Sequence, residues 1–235
     1  MWFREVSCWV QGASRGVQKT PRLAVSYPGW KGGQPKLTTE VTLEHMNTVY
    51  IHADESCLGN QNQKASSPGG AGGLVEVWKN GAWERRDYWL SEPDTTNNRM
   101  ALRSVIEPLS ALTRTCRIIF TSDSQYLVKG INEWRHGWKR AGWKRKGGPI
   151  LNLELWKQVD RLVEHHDFSA RWVRGHDGHP ENEYVDFLAT RAAAEQSHSR
   201  GLTASGFTEW LDEQREKGAF LEYMEFQAPA DRYGP

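Results

Sequence analysis

The stretch Val49-Tyr50-Ile51-His52-Ala53-Asp54-Glu55-Ser56-Cys57-Leu58-Gly59-Asn60 decides how the rest of the chain is read. Its first half alternates as a strand does, with Val49, Ile51 and Ala53 on one face and Tyr50, His52 and Asp54 on the other. The strand then ends on two carboxylates, Asp54 and Glu55. A carboxylate at the end of a core strand needs a cation or hydrogen-bond donors to offset its lost hydration. The plain alternative is a loop-start aspartate capping the next turn. The choice rests on two further elements, which deliver Asp123 and Asp186.

Working outward, a Gly/Ser/Pro-rich turn is expected from Asn60 to Gly73. Within it Gly69-Gly70-Ala71-Gly72-Gly73 lacks the Lys-Ser/Thr of a phosphate-cradling loop and leads into a strand, so it reads as part of the turn. Leu74 to Trp78, Asn80-Gly81, and Trp83 to Leu90 read as strand, tight turn and strand, giving three antiparallel strands. Asp94 to Asn98 is a helix-start cluster. The helix that follows carries Leu102, Val105, Ile106, Leu109 and Leu112 on one face, and Pro108 is expected to kink it or end its regular part. Arg117 to Thr121 is a short apolar strand ending at Ser122-Asp123, and a helix from Gln125 leads to Trp134. This pairing has α/β character, in which ligand sites lie at the carboxyl ends of parallel strands; Asp123 stands at such an end. Leu151 to His166 reads as a helix with Leu151, Leu155, Val159 and Leu162 toward the core. Phe168 to Val173 is a fifth strand. A loop from Arg174 to Glu181 enters a last helix whose inward stripe is Val185, Leu188, Ala189 and Ala192, with Asp186 beside it.

The 235 residues suffice for one domain with tails. A formal net charge of +1 with 25% charged residues excludes a disordered chain and a globally basic nucleic-acid binder. The three cysteines are odd in number and widely spaced, so they read as reduced thiols of a cytoplasmic protein. No apolar run reaches the ~18 residues that span a bilayer, and no apolar signal core follows the N-terminus. Residues 1–46 read as a basic, irregular extension containing Gly and Pro, with six basic residues against three acids. Met46, just before the first strand, offers an alternative start of translation that leaves the domain intact. Residues 197–235 read as an acidic tail, with seven acids against four basics. Its Phe207, Trp210, Leu211, Leu221 and Met224 suit one or two short amphipathic helices broken near Gly218. Residues 47–196 hold all five strands and are expected to fold alone. Within 132–146, Arg135, Lys139, Arg140, Lys144, Arg145 and Lys146 interleave with Trp134, Trp138 and Trp143. That segment is either a solvated face or a grip on phosphates and sugars.

Taken together, Asp54-x-Ser56-Cys57-Leu58-Gly59-Asn60, Thr95-Thr96-Asn97-Asn98-Arg99-Met100, Thr121-Ser122-Asp123-Ser124-Gln125-Tyr126, the Trp/Lys-rich segment 134–146, and Gly175-His176-x-Gly178-His179-Pro180-Glu181-Asn182-Glu183 with Asp186 resemble the type 1 ribonucleases H, close to the bacterial enzymes. They stand in family order at compatible spacings from about Asn47 to Gln196. The resemblance implies an α/β, ribonuclease H-like fold: a five-stranded mixed sheet, its first three strands antiparallel, flanked by helices. It implies metal-dependent cleavage of the RNA strand of an RNA–DNA hybrid, leaving 5′-phosphate and 3′-hydroxyl ends. Two Mg²⁺ ions, or Mn²⁺, are implied at Asp54, Asp123 and Asp186; hard cations of this kind take carboxylate oxygens rather than Cys or His. His176 matches the family's mobile-loop histidine, which assists the nucleophilic water or product release, and His179 reads as structural. Asn60, Asn98 and Gln125 match residues that read the hybrid's minor groove, where a 2′-hydroxyl marks RNA. Thr96 matches a DNA-phosphate contact, and Trp134, Trp138, Lys139, Arg140, Lys144 and Arg145 match the handle that grips the hybrid. A monomer is expected, with the tails as the place for any protein partner.

The chain departs from the family twice. The glutamate that follows Arg-Met in the first helix is here Ala101, and the glycine usual after the first aspartate is Glu55. We expect Glu55 to supply the missing metal and catalytic carboxylate, although strand alternation sends residue 55 to the face opposite Asp54 unless the backbone bends. The competing readings are a three-aspartate enzyme, a catalytically weak or inactive hybrid-binding module, and a deliberate knockout, which explains Ala101 but not Glu55. A resolvase or transposase of the same fold class leaves the minor-groove residues without a purpose.

Overall fold

The computed structural model describes residues 48–59, 67–175, 178–225 and 227–229. Strands β1 (Thr48–Cys57), β2 (Ser67–Lys79) and β3 (Ala82–Thr95) form an antiparallel meander. On its other side β1 pairs in parallel with β4 (Arg117–Ser122), and β4 in parallel with β5 (Asp167–Trp172). The mixed sheet agrees with expectation, but it has a sixth strand: β6 (Thr203–Ala204) pairs with β3, giving the order β5-β4-β1-β2-β3-β6.

One face is covered by α1 (Asn97–Ala111) and α4 (Leu153–Glu164), the other by α5 (Pro180–Glu195) over β1, β2 and β3. On the α1 side the core comprises Val49, Ile51, Ala53 and Val75 of the sheet with Met100, Leu102, Val105 and Leu109 of the helix. The expected break at Pro108 does not occur there; α1 runs on to Ala111. Proline cannot donate to the Ser104 carbonyl one turn back, and the Tyr88 hydroxyl donates to that carbonyl instead, at 2.6 Å.

The glycine run is strand, not turn. Gly70 and Gly72 face α5, where an added Cβ would lie 2.2 Å from the Ala189 carbonyl oxygen and 2.6 Å from the Ala189 nitrogen. The helix therefore rides on the sheet at backbone contact, which only glycine permits. The helix from Gln125 passes through α2 (Gln125–Lys129), a π-helical turn at Gly130–Trp134, and α3 (Arg135–Arg140). The π turn begins at Gly130, where a Cβ would meet the Trp156 ring at 2.0 Å. Leu151 lies outside α4 and is 67% exposed; Leu155, Trp156, Val159 and Val163 form the inward stripe.

Among the described residues, the segment expected to be an acidic tail packs on the domain from Thr203 through α6. In α6 (Phe207–Glu216), Phe207 and Leu211 are fully buried against Leu74, Tyr184, Val185 and Leu188. Asp87 of β3 accepts hydrogen bonds from Tyr184 Oη (2.5 Å), Ser205 Oγ (2.6 Å) and the Gly206 N–H (2.9 Å), fixing the approach to α6. Arg85 spans Glu76 at 2.7 Å and Glu225 at 2.6 Å. Leu221 and Met224 remain exposed.

Leu211→Ala is expected to destabilise the protein by about 2–5 kcal/mol, since it empties a closed site. Residues 47–196 alone are expected to unfold at lower urea than the full chain, because Leu74, Val185 and Leu188 lose their cover. Unchanged urea midpoints in both would show that α6 adds nothing to the core.

Candidate active site

The parallel register of β1 and β4 pairs His52 with Thr121, so Asp54 stands level with Asp123, just beyond the end of β4. Asp54 pairs with Gly72 and thus points toward α5. Two residues further along the same face, Ser56 Oγ accepts from Thr190 Oγ1 at 3.2 Å. Thr190 lies one turn beyond Asp186, so α5 sets Asp186 over Asp54.

Asp54 is buried, and its Oδ1 accepts the Glu55 N–H at 2.7 Å. Burial first, then the charges of Asp123, Glu55 and Asp186, push its carboxyl up to about 8; the Glu55 N–H opposes them. Asp123 is held from β5: its carbonyl accepts from Trp172 Nε1 at 2.9 Å, and a Cβ on Gly175 would lie 2.3 Å from its Oδ2.

The β1–β2 ladder runs regularly through Cys57↔Gly69, so Glu55 does lie on the face opposite Asp54. That face is the α1 side: Cys57 Sγ and Met100 Cγ both crowd the Cβ position of Gly69. It is therefore the side of Ala101, which is fully buried. The Glu55 carboxyl is pushed up to about 7 by burial and by Asp123, with the Ser124 hydroxyl opposing. Its Oε2 is enclosed and has no hydrogen-bond partner. Four carboxyls from the ends of two strands, β1 and β4, and from one helix, α5, thus converge. Among the described residues no three acidic, His or Cys side chains are already drawn up as a chelate.

The residues expected to meet substrate divide in two. Asn98 and Gln125 are exposed at the starts of α1 and α2; Gln125 borders a pocket of about 320 Å³ with Val128, Lys129 and Trp172. Arg140, Lys144 and Arg145 are exposed. Thr96 is the N-cap of α1, its Oγ1 accepting from the Arg99 N–H at 3.3 Å, which leaves its O–H free to donate. Trp134 and Trp138 pack on each other and, edge-on, on Tyr126 and Trp156. Lys139 is tied to Asp160 at 2.9 Å and to Glu164. Asn97, which the sequence reading passed over, has an enclosed Oδ1 without a partner; its place between Thr96 and Asn98 was the only signal. Asn60 and His176 lie outside the described residues.

The RNase H family model matches residues 46–194. The ribonuclease HI of Neisseria meningitidis serogroup A (strain Z2491) is 46% identical over 151 residues, 64% of this chain and 98% of that protein. The chain belongs to the ribonuclease H family. The ribonuclease H of Stutzerimonas stutzeri A1501 is 44% identical over 148 residues, 63% of this chain and 92% of the relative. Among solved structures, LC9-RNase H1, described as a type 1 RNase H with the type 2 active-site motif, is 50% identical, with a TM-score of 0.66 over 70% of this chain and 81% of that one. The protein is thus a ribonuclease H by family and fold.

In this ribonuclease H the donor set is carboxylate oxygen throughout, and one oxygen, Glu55 Oε2, is enclosed with nothing to accept. That fits a hard divalent cation. Without a cation, the raised Asp54 and Glu55 carboxyls bind more protons in the folded than in the unfolded chain between their ordinary values near 4 and their folded values of about 8 and 7. Their contribution to stability therefore falls as pH rises through that window. The thermal midpoint of cation-free protein is expected to drop from pH 5.5 to pH 8.5, and added Mg²⁺ to raise it more at the higher pH. Asp54→Asn should flatten both trends. A Mg²⁺ shift independent of pH would dissociate the carboxyls from the cation.

Proposed function

We propose that this ribonuclease H is a divalent-cation-dependent endonuclease cutting the RNA strand of RNA–DNA hybrids to 5′-phosphate and 3′-hydroxyl ends, with Glu55 in the role of the glutamate absent at Ala101. The observation that carries this reading is the Glu55 carboxylate: it stands on the α1 side, next to Asp123, with an enclosed oxygen lacking a partner. A type 1 relative at 50% identity is described as carrying a different active-site motif, so rearrangement on this scaffold has a precedent.

Mg²⁺ at such a site, as two ions and replaceable by Mn²⁺, supplies a nucleophilic water and stabilises charge on the phosphate and leaving oxygens. The chain's own residues provide the frame. Asp54 and Asp186 present oxygens from the α5 side, Glu55 from the α1 side, and Asp123 between them. Trp172 holds the backbone of Asp123, and Gly175, lacking a side chain, leaves room for its carboxylate. His176 assists the water or product release. Asn60, Asn98 and Gln125, joined by Asn97, recognise the minor groove and its 2′-hydroxyls. The Thr96 O–H donates to a DNA phosphate while its oxygen caps α1. Phosphate contacts fall to Arg140, Lys144 and Arg145, whereas Lys139 and the tryptophans brace the segment from within.

Cleavage of labelled hybrid with Mg²⁺ separates this enzyme from a hybrid-binding module that does not cut. Asn at Asp54, Asp123 or Asp186 is expected to lower the rate by orders of magnitude, and Glu55→Gln by about 10²-fold or more. Glu55→Gly combined with Ala101→Glu is expected to recover much of that loss, because the carboxylate returns to the family position as the space is vacated. Glu55→Gln cutting at the parent rate would leave a three-aspartate enzyme. Neutralising Arg140, Lys144 and Arg145 together is expected to reduce the salt slope of hybrid binding by roughly 0.7–0.9 per lost phosphate contact. A slope unchanged in that variant would assign these residues to a solvated face.

A further inference from the structure

A cleft of about 860 Å³ adjoins the carboxylate site without including it: Asp54, Glu55, Asp123 and Asp186 do not line it. Its floor is one row across the sheet, with His52 of β1, Thr121 of β4 and Arg171 of β5 in register. This is the face on which α5 lies, but α5 packs over β1, β2 and β3. Beyond that helix the C-terminal segment Gly218–Tyr223 supplies the opposite wall, and Trp172 and Val173 close one end. The volume lies within the range of small-molecule sites, roughly 300–1,000 Å³.

Two kinds of surface meet there. One is a set of donors. Arg171 is a permanent cation, and Asn182, 5% exposed, has an enclosed Nδ2 with no hydrogen-bond partner. The sixteen-residue α5 begins in the same wall, with Pro180 in its first turn. The first N–H groups of a helix lack internal acceptors and favour negative charge. Of the two rim acids, Glu181 is engaged by the Tyr223 hydroxyl at 2.6 Å, and Glu222 is exposed. The other surface is flat and apolar: Trp172, 48% exposed, and Phe220, backed by Trp210 at 5.8 Å between ring centroids. Phe220 has φ 54°, a left-handed backbone rare for a bulky side chain.

A cluster of donors for an anion beside a pair of rings for a planar group matches the two halves of a nucleotide. We propose that this cleft is a second nucleotide site, which takes a nucleoside 5′-phosphate, free or as the 5′ end of a short single-stranded RNA. The phosphate lies against Arg171, Asn182 Nδ2 and the start of α5, and the base against Trp172 and Phe220. The site uses none of the four carboxylates and does not depend on the cleavage reading.

The test is calorimetric titration of the full chain in EDTA with AMP, adenosine and inorganic phosphate, and with a tetraribonucleotide carrying either a 5′-phosphate or a 5′-hydroxyl. Saturable binding of one AMP per chain is expected, roughly tenfold or more tighter than adenosine or phosphate alone. Arg171→Gln and Phe220→Leu should each weaken it about tenfold, while both variants remain folded at the temperature of titration and cut hybrid at the parent rate. A 5′-phosphorylated tetranucleotide that outcompetes AMP identifies an RNA end as the occupant; one that fails to compete identifies the free nucleotide. The proposal is overturned if neither AMP nor the phosphorylated tetranucleotide gives saturable heat, or if binding is indifferent to both substitutions. Nucleotide binding by a parent protein that leaves hybrid intact would sustain this site and remove only the nuclease reading.

Discussion

Backbone contact between α5 and the middle of β2 is the constraint on which most of this molecule depends. Any side chain at Gly70 or Gly72 would strike the Ala189 or Ala193 backbone, so the helix would have to lift by an ångström or more. Glycine weakens a strand when nothing else holds it. Here β2 is paired on both edges, and the ladder supplies what intrinsic propensity does not. The close approach joins Thr190 to Ser56 and brings Asp186 to Asp54. It also lowers Val185 and Leu188 onto Leu74, making the apolar seat that Phe207 and Leu211 of α6 then cover. The carboxylate site and the C-terminal packing are thus two consequences of the same missing side chains.

The α5 face carries two charge clusters that differ in kind. Glu76 is fully buried, but Arg85 lies against it and also reaches Glu225, so each charge has an opposite charge in contact. Such a network holds segments in register without calling for a ligand. Four residues along the same face of β1, at Asp54, the causes acting on the carboxyl are burial and three acids, opposed by one backbone N–H. The ion pair at Glu76 is neutralised within the fold, whereas the Asp54 carboxyl is raised by its acidic neighbours, as the proposed cation site requires.

Much of this was legible in the sequence. The alternation from Val49 to Asp54 fixed both the strand and the level of the first aspartate, and the apolar run before Asp123 fixed the second. Asp186 followed from its place beside the stripe of the last helix. The glycine run misled because its reason is tertiary: local rules assign Gly-Gly to turns, whereas these residues answer a helix more than a hundred positions away. Leu151 misled because a left-handed Asn152 delays the start of α4. Composition marked 132–146 as basic and aromatic, but could not reveal that Asp160 and Glu164 engage Lys139, or that Trp138 packs against the core. The i, i+4 pair Phe207 and Leu211 was visible as a pattern; its partner, the Leu74–Leu188 seat, was not.

The proposed exchange of carboxylates between Glu55 and position 101 is best understood as one change rather than two. Strand alternation sends residue 55 away from Asp54, which at first argues against a shared site. The face it reaches, however, is the one α1 covers, and a glutamate at 101 would descend from α1 toward the same sheet end. The strand side chain rises into the space that a helix side chain would otherwise fill. With Ala101 fully buried, there is no room for a second long side chain beside Glu55, and overpacking a closed site typically costs about 1–3 kcal/mol. A fifth carboxyl there would also add like charge to a group already pushed up to about 7 by burial and Asp123. Steric and electrostatic terms therefore both oppose carrying the two glutamates together. Losing both would leave the proposed cation pocket short of an oxygen on the α1 side. The chain that keeps one is expected to keep it wherever the backbone is best held, and residue 55, with β2 paired along one side and Asp123 at the other, meets that condition.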